Sequence, residues 1–442
     1  MLFDVTFLAH PQPRDCGDYR HRTLWPAQAL GEHVPTIAVQ TIHPDVFTAI
    51  VQSRLLVVGM IVDNEVHALL EYRRSVGLPT VYEISDDFKA FPENTSLGTL
   101  FYARPEIQAQ IESMAKTCDA VQFSSPVLAE KYAYLNDNQA VFMNQAWTVP
   151  NLHAPPQNKA VRVGWTASGG HLADAQDLAR LLAHAKARDP QLFQDFTLCL
   201  MTTPRNAQAF TDAGLAFEHT PTGSFEHYMQ FISGLDAGLA HLTPDAFAQG
   251  RSDGKYIEYA SRGVPAICHA SGTYASTIRH GANGLLYTDE KSFRSALSNI
   301  VRVPEIREHI RNQAHTDIKQ SRNHRTAAME RFNFYRGLVE QSQDSPFGQC
   351  ISPFAQQGFH SLEHSYEQEF FAAMNEHNQG PQPATIQRYH RLSQQEPSAW
   401  KVWERFAALY RRLGLHEHLE LLESRCEEAK QTALERAFER AA

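Results

Sequence analysis

The sequence predicts an α/β protein: two doubly wound parallel-sheet units in tandem, followed by a helical extension. Three observations carry this. Short apolar runs alternate with helix-length amphipathic segments through residues 1–150, and the alternation resumes at 161 and continues to about 330. The stretch NQAWTVPNLHAPPQNKA at 144–160 has no periodicity and is rich in Pro, Asn and Gln, the composition of a linker between the two series. Beyond 361 the chain is helical in pattern, with few breakers.

In the first unit, residues 2–9 read as a strand. An acid at position 4 and the lack of a basic segment before the apolar run argue for a core strand, not a signal peptide. A helix over 23–30 tolerates Pro26 only in its first turn. Residues 36–40 read as a strand, and LLVVGM at 55–60 is the continuous apolar run of a parallel strand covered on both faces. A helix at 63–76 breaks at Gly77-Leu78-Pro79, and a strand at 80–84 ends in Ser85-Asp86-Asp87. Helix 105–117, strand 120–123, helix 126–133 and strand 140–143 complete the unit.

The second unit opens with a strand at 161–165, the turn Thr166-Ala167-Ser168-Gly169-Gly170-His171 and a helix from about Ala173. A strand, a glycine turn and a helix start make an anion cradle of backbone N–H groups. Strands at 196–201 and 235–240 lead to the most organised stretch, residues 250–287. There a helix starts at Ser252 or Asp253 and stops at Arg262-Gly263, and a buried-type strand follows at 264–268. A further helix around 275–279 precedes the Asn283-Gly284 turn. Residues 291–340 are helical and charged, with 318–339 returning across the first unit through Phe332 and Tyr335, and 341–358 is a second linker. In the tail, Trp400, Trp403, Phe406 and Tyr410 form a stripe expected in a core.

Composition narrows the function. The 442 residues are 43% hydrophobic and 20% charged with a net charge of -9, so a nucleic-acid or anionic-membrane surface is not indicated. No apolar run approaches the length of a membrane span. The six cysteines include no C-x-x-C pair and read as reduced thiols. The 22 histidines include no H-E-x-x-H, and no metal site is expected.

The chemistry gathers at the front of the helix near 252. Arg251 and Lys255 flank a helix start, where unpaired N–H groups favour an anion. Glu258 lies one turn on, where a carboxylate can accept bonds from paired hydroxyls such as those of a ribose. The three suit a nucleotide diphosphate. The same spacing also suits surface ion pairs 255–258 and 258–262. Two polar patches follow strands of the first unit: Cys16 to Arg22, a ligand loop or a solvated one, and Tyr82 to Asp87, hydroxyl-binding acids or helix caps.

The run R-S-D-G-K-Y-I-E-Y-A-S-R-G-V-P-A-I, followed by G-T-Y and H-G-A-N-G-L-L-Y, resembles the donor-binding segment of GT-B glycosyltransferases of the family 4 type. The resemblance implies two facing Rossmann-like domains, the acceptor domain at 1–150 and the nucleotide-sugar donor domain at 151–330. A return helix and linker at 331–360 and a helical appendage at 361–442, loosely like a tetratricopeptide unit, follow. It implies sugar transfer from a UDP- or GDP-linked donor to a glycan, lipid-linked or protein acceptor, with retention and without a metal or other cofactor. Arg251, Lys255 and His171 are the implied catalytic residues, and Gly169, Gly170, Glu258, Thr220, Ser252, Thr273 and Tyr274 the donor-binding ones. Gly17, Tyr19, Arg20, Asp86 and Asp87 fall on the acceptor side. In that family a second Glu stands eight residues before the ribose Glu, and this chain has Gly250 there. Two alternatives stay open: a sugar-nucleotide epimerase of the same architecture, and a non-catalytic nucleotide-sugar-binding protein whose tail mediates partner or self-association. A cytoplasmic location is expected, with the inner membrane face as an alternative station.

Overall fold

The first sheet takes β1 (Phe3–Ala9), β2 (Thr36–Gln40), β3 (Ser53–Gly59), β4 (Thr80–Ile84), β5 (Ala120–Phe123) and β6 (Gln139–Val141). The second takes β7 (Val161–Thr166), β8 (Phe196–Met201), β9 (Glu218–Thr220), β10 (Ala237–Ala240), β11 (Ala266–His269) and β12 (Leu285–Tyr287). A late strand, β13 (Phe359–Ser361), returns to the edge of the first sheet beside β2. This is a computed structural model describing residues 2–91, 101–152, 160–342, 347, 358–381 and 383–439. Residues 153–159 of the first expected linker, most of the second, and Cys350 fall outside the described residues.

Every strand pair is parallel, in the orders β13-β2-β1-β3-β4-β5-β6 and β12-β11-β10-β7-β8-β9. Helices cover both faces, so β1 and β2 are buried at every residue. The direction of strand addition reverses between β1 and β3 in one sheet and between β7 and β10 in the other. Outside the carboxyl ends of strands at such a reversal, neighbouring loops part and leave a crevice. The loops flanking the second crevice are those after Thr166 and after Ala240; they carry Gly169, Gly170, His171, Arg251 and Ser252 and lead into the helix that bears Lys255 and Glu258.

Local departures from the sequence reading have simple causes. The first helix begins earlier than expected, as a wide helical turn Tyr19–Leu24 that runs on into Trp25–Leu30. A helix at Val46–Val51 went unforeseen: all six of its residues are buried, so no polar face marks it. The helix expected at 275–279 is Gly272–Thr277. The Gly254–Ser261 helix ends where the sequence suggests, with Gly263 at φ 68°. At Gly238 a Cβ would meet the Tyr259 ring at 2.6 Å, so this glycine lets that helix lie directly on β10.

The return segment breaks near Arg322, and a helix His324–Ser342 then lies on the first sheet, where the Tyr335 hydroxyl donates to Gln122 Oε1 at 2.7 Å. The tail forms helices Glu367–Gln379, Pro383–Gln395, Trp400–Leu413 and Leu419–Glu439. It does not stand apart. Trp400 stacks on Phe47 at 5.5 Å and shares a core with Cys426, Ala429, Ala433 and the first-sheet residues. Small residues at that helical spacing let the last helix lie close on the Val46–Val51 helix. Among the described residues, no helix is long and apolar enough to cross a membrane.

Candidate functional site

The centre of the site is a hydroxyl held between two charges. Tyr228, on the helix Phe225–Ser233, donates to Glu258 Oε2 at 2.6 Å and accepts from Lys255 Nζ at 2.8 Å. Lys255 also lies 3.6 Å from Glu258 Oε2 and 4.5 Å above the Tyr228 ring. Burial alone would raise the Glu258 carboxyl, but Lys255, His21 and the Tyr228 hydroxyl outweigh it and hold the group down at about 2. Glu258 is therefore an anion at any working pH.

The helix carrying Lys255 and Glu258 starts at Gly254 with no side-chain cap. Asp253 occupies the capping position, but its carboxylate is bound elsewhere, by Arg322 and by Thr277 Oγ1 at 2.8 Å. The first N–H groups of the helix are thereby left to other acceptors. Across the crevice, the Leu172–Arg188 helix also begins without a side-chain cap, after the Gly169-Gly170 turn. A Cβ at Gly170 would meet nothing within 4 Å, and one at Gly169 only Thr203 Cγ2 at 3.8 Å, so the turn stands open. His171 Nδ1 bonds Asp174 Oδ2 at 2.7 Å, and Asp174 Oδ1 accepts from the Thr243 N–H at 2.7 Å, tying the two crevice loops together. Burial lowers the His171 pKa, and the charges of Arg251 and Lys255 reinforce this against Asp174.

The first sheet closes on this crevice. His21 Nε2 lies 3.4 Å from Glu258 Oε1, and the Arg20 guanidinium 4.5 Å from the Phe225 ring. Arg251 stands 3.7 Å from Asp86 Oδ1, and Phe91 meets Phe247 at 4.5 Å. Burial raises the Asp86 carboxyl to about 6; Arg251 opposes the rise and Asp18 adds to it. Gly250 sits against this seam, where a Cβ would lie 3.0 Å from Leu128 Cδ2 and 3.1 Å from Asp87 Cβ.

Of the residues proposed from sequence, Arg251, Lys255, Glu258, His171, Gly169, Gly170 and Asp86 converge here. Ser252 is beside them, its Oγ accepting from Asn144 Nδ2 at 2.9 Å. Thr220 ends β9 at the sheet edge, and Gly17 is exposed with nothing within 4 Å of a Cβ. The remaining side chains are buried or committed to protein partners. Tyr19 is turned into the protein by the early helical turn, its hydroxyl accepting from Arg14 Nη1 at 2.9 Å, so it does not face an acceptor. Asp87 is buried and taken by Lys131 at 2.6 Å and the Tyr132 hydroxyl at 2.5 Å. Tyr274 packs in the second unit's core and Thr273 is buried beside it, because their short helix turns both inward. Arg20 pairs with Asp15 and spans the seam to the Phe225 ring. Sequence reading held His21 only as a member of the Cys16 to Arg22 patch, with no role of its own, and missed Arg322, whose partners lie 69 and 178 positions away. Among the described residues, no group of three His, Cys, Asp or Glu is arranged to hold a metal ion.

No family model matches the chain, and no curated protein matches it in sequence. Solved structures do match in fold. HepE of Anabaena, in complex with UDP and glucose, aligns over 75% of this chain and 98% of its own at 13% identity, with a TM-score of 0.57. Sucrose-phosphate synthase from Thermosynechococcus elongatus aligns over 76% and 99% at 13% identity, with a TM-score of 0.54. The lipopolysaccharide outer core galactosyltransferase WaaB aligns over 75% and 98% at 11% identity, with a TM-score of 0.50. The chain also spans 55% of the length of TarM of S. aureus, at 11% identity and a TM-score of 0.49. The architecture is GT-B: two facing Rossmann-like units, here with a helical C-terminal extension.

Proposed function

We propose that this protein is a glycosyltransferase that moves a sugar from a nucleotide-diphosphate donor to an acceptor held against the first sheet. The observation that carries the reading is the Lys255–Tyr228–Glu258 bridge at the switch point of the second sheet. A cation, an oxygen held between cation and carboxylate, and an uncapped helix start are the partners a nucleoside diphosphate needs. Lys255 and Arg251 would neutralise charge building on the leaving diphosphate, as preorganised electrostatics are often the largest catalytic contribution. Glu258 would accept from ribose hydroxyls, first at Oε1, where His21 holds it only at 3.4 Å. His171, kept neutral and committed to Asp174 through Nδ1, would meet a ligand through Nε2. On the acceptor side Asp86, at about 6, is the carboxyl suited to exchanging a proton near neutrality.

The fold likeness to HepE, whose structure holds UDP and glucose, favours a UDP-linked donor, by analogy of architecture. Family 4 membership, retention at the anomeric carbon, metal independence and a cytoplasmic site of action belong to the same proposal. The acceptor would be a glycan, a lipid-linked sugar or a protein. Replacing Lys255 by Ala should depress turnover by about 10²–10³, the usual effect of losing one oxyanion partner. Near-normal turnover in that variant would remove the assignment. One observation favours a second reading: the seam at Gly250 is tight, so the carboxylate that the resembling family carries there would have to displace Leu128 and Asp87. Tight nucleotide-sugar binding without transfer would then describe a non-catalytic binding protein.

A further inference from the structure

Arg322 lies where the chain crosses from the second sheet back to the first. Its Nη1 and Nη2 form a fork on Asp253, at 3.0 Å to Oδ2 and 2.9 Å to Oδ1. Its Nε and Nη2 also bond the Asn144 carbonyl, at 3.2 and 2.8 Å. Asn144 belongs to the other crossing, and the two crossings pair through Ala146 N–H to Arg322 O at 2.9 Å and His324 N–H to Ala146 O at 3.2 Å. The Asn144 side chain then holds Ser252 Oγ at 2.9 Å and accepts from Arg22 Nη1 at 2.9 Å. One guanidinium thus joins both crossings to the residues that precede the Gly254–Ser261 helix.

We infer that Arg322 is a positioning residue for the site on that helix: it holds Asp253 off the helix start and fixes Lys255 and Glu258 to the hinge between the sheets. Asp253 is fully buried and is the N-cap residue by position, yet it makes no capping bond. Asp is among the strongest N-cap types, and its carboxylate naturally accepts from the second or third N–H of a helix. Released from Arg322 and held only by Thr277 Oγ1 on one oxygen, it would turn its other oxygen to those N–H groups and set a negative charge beside Lys255, against any anion arriving there. Only a planar fork reaches both carboxylate oxygens and the Asn144 carbonyl together, so Lys is not equivalent.

The inference rests on the donor-site reading for its ligand but has a readout that needs none. Arg322→Ala and Arg322→Lys should slow hydrogen exchange at the Tyr256 amide as Asp253 caps it, while β7 amides keep their rates. Titrated calorimetrically with UDP and GDP, Arg322→Ala should bind at least about tenfold more weakly than wild type, within the range of ordinary coupling between sites. The double variant Arg322→Ala/Asp253→Ala should regain most of that loss. Rescue by removing a second buried partner is the opposite of what a merely structural role gives. Unchanged exchange at Tyr256, or a double variant as weak as the single, would overturn the inference. Should Arg322→Ala not fold, Arg322→Lys with Asp253→Ala reads the same rescue. Wild-type failure to bind either nucleotide, with the exchange effect intact, would count against the donor-site reading and leave the positioning role standing.

Discussion

Replacing Glu258 by Gln keeps the side chain's shape and removes its charge. Burial works against that charge, yet Lys255, His21 and the Tyr228 hydroxyl bring the carboxyl from 4.5 down to about 2. The depression is equivalent to about 3 kcal/mol of native stability. Gln cannot recover it, because its neutral carbonyl oxygen can accept from Tyr228 at the Oε2 position but offers Lys255 no counter-charge. The sign follows from the direction of the shift. A carboxyl held below its unfolded value contributes fully above about 4.5, and the contribution is lost as pH falls toward 2. Urea unfolding at pH 7 should therefore show the Gln variant weaker by about 3 kcal/mol, with the gap to wild type narrowing steadily below pH 4.5. Equal midpoints at pH 7, or a gap that ignores pH, would show that the charges do not meet as described.

Three further outcomes follow from the seam and the tail. Gly250→Ala puts a methyl 3.0 Å from Leu128 and 3.1 Å from Asp87, so it should cost about 1–3 kcal/mol by urea unfolding and loosen the two sheets in solution scattering. Because burial raises Asp86 to about 6, turnover should rise with pH through that value, and Asp86→Asn should remove the inflection. Trp400→Ala removes the ring stacked on Phe47 and should cost about 3–5 kcal/mol, with exchange protection lost first in the Leu419–Glu439 helix.

Much of the fold was legible because parallel strands buried on both faces write themselves as short, largely apolar runs between helix-length segments. The strands at 80–84, 120–123 and 196–201 fall where those runs stand. The Val46–Val51 helix was hidden by the same property, since a fully buried helix six residues long has no period to read. In the site, Arg251, Lys255 and Glu258 were visible because one helix start supplies all three. Tyr19 and Tyr274 were misplaced because a motif gives the order of residues and not the side of the backbone they leave from. His21, Asn144 and Arg322 reach the site only through tertiary closure. No local spacing announces a guanidinium that meets its carboxylate across 69 positions. The docking of the tail was equally unreadable: Trp400 looked like the core of a helical module, but it packs in the first sheet's core, while Phe406 fills the module's own.

The most direct test is calorimetric titration of the full chain with UDP-, GDP-, ADP- and TDP-linked sugars, beside Lys255→Ala and Glu258→Ala. The account predicts selective binding of one donor, lost in both variants while each remains folded. Binding to none of them, or binding that both variants retain, would contradict a nucleotide-sugar site on the Gly254–Ser261 helix.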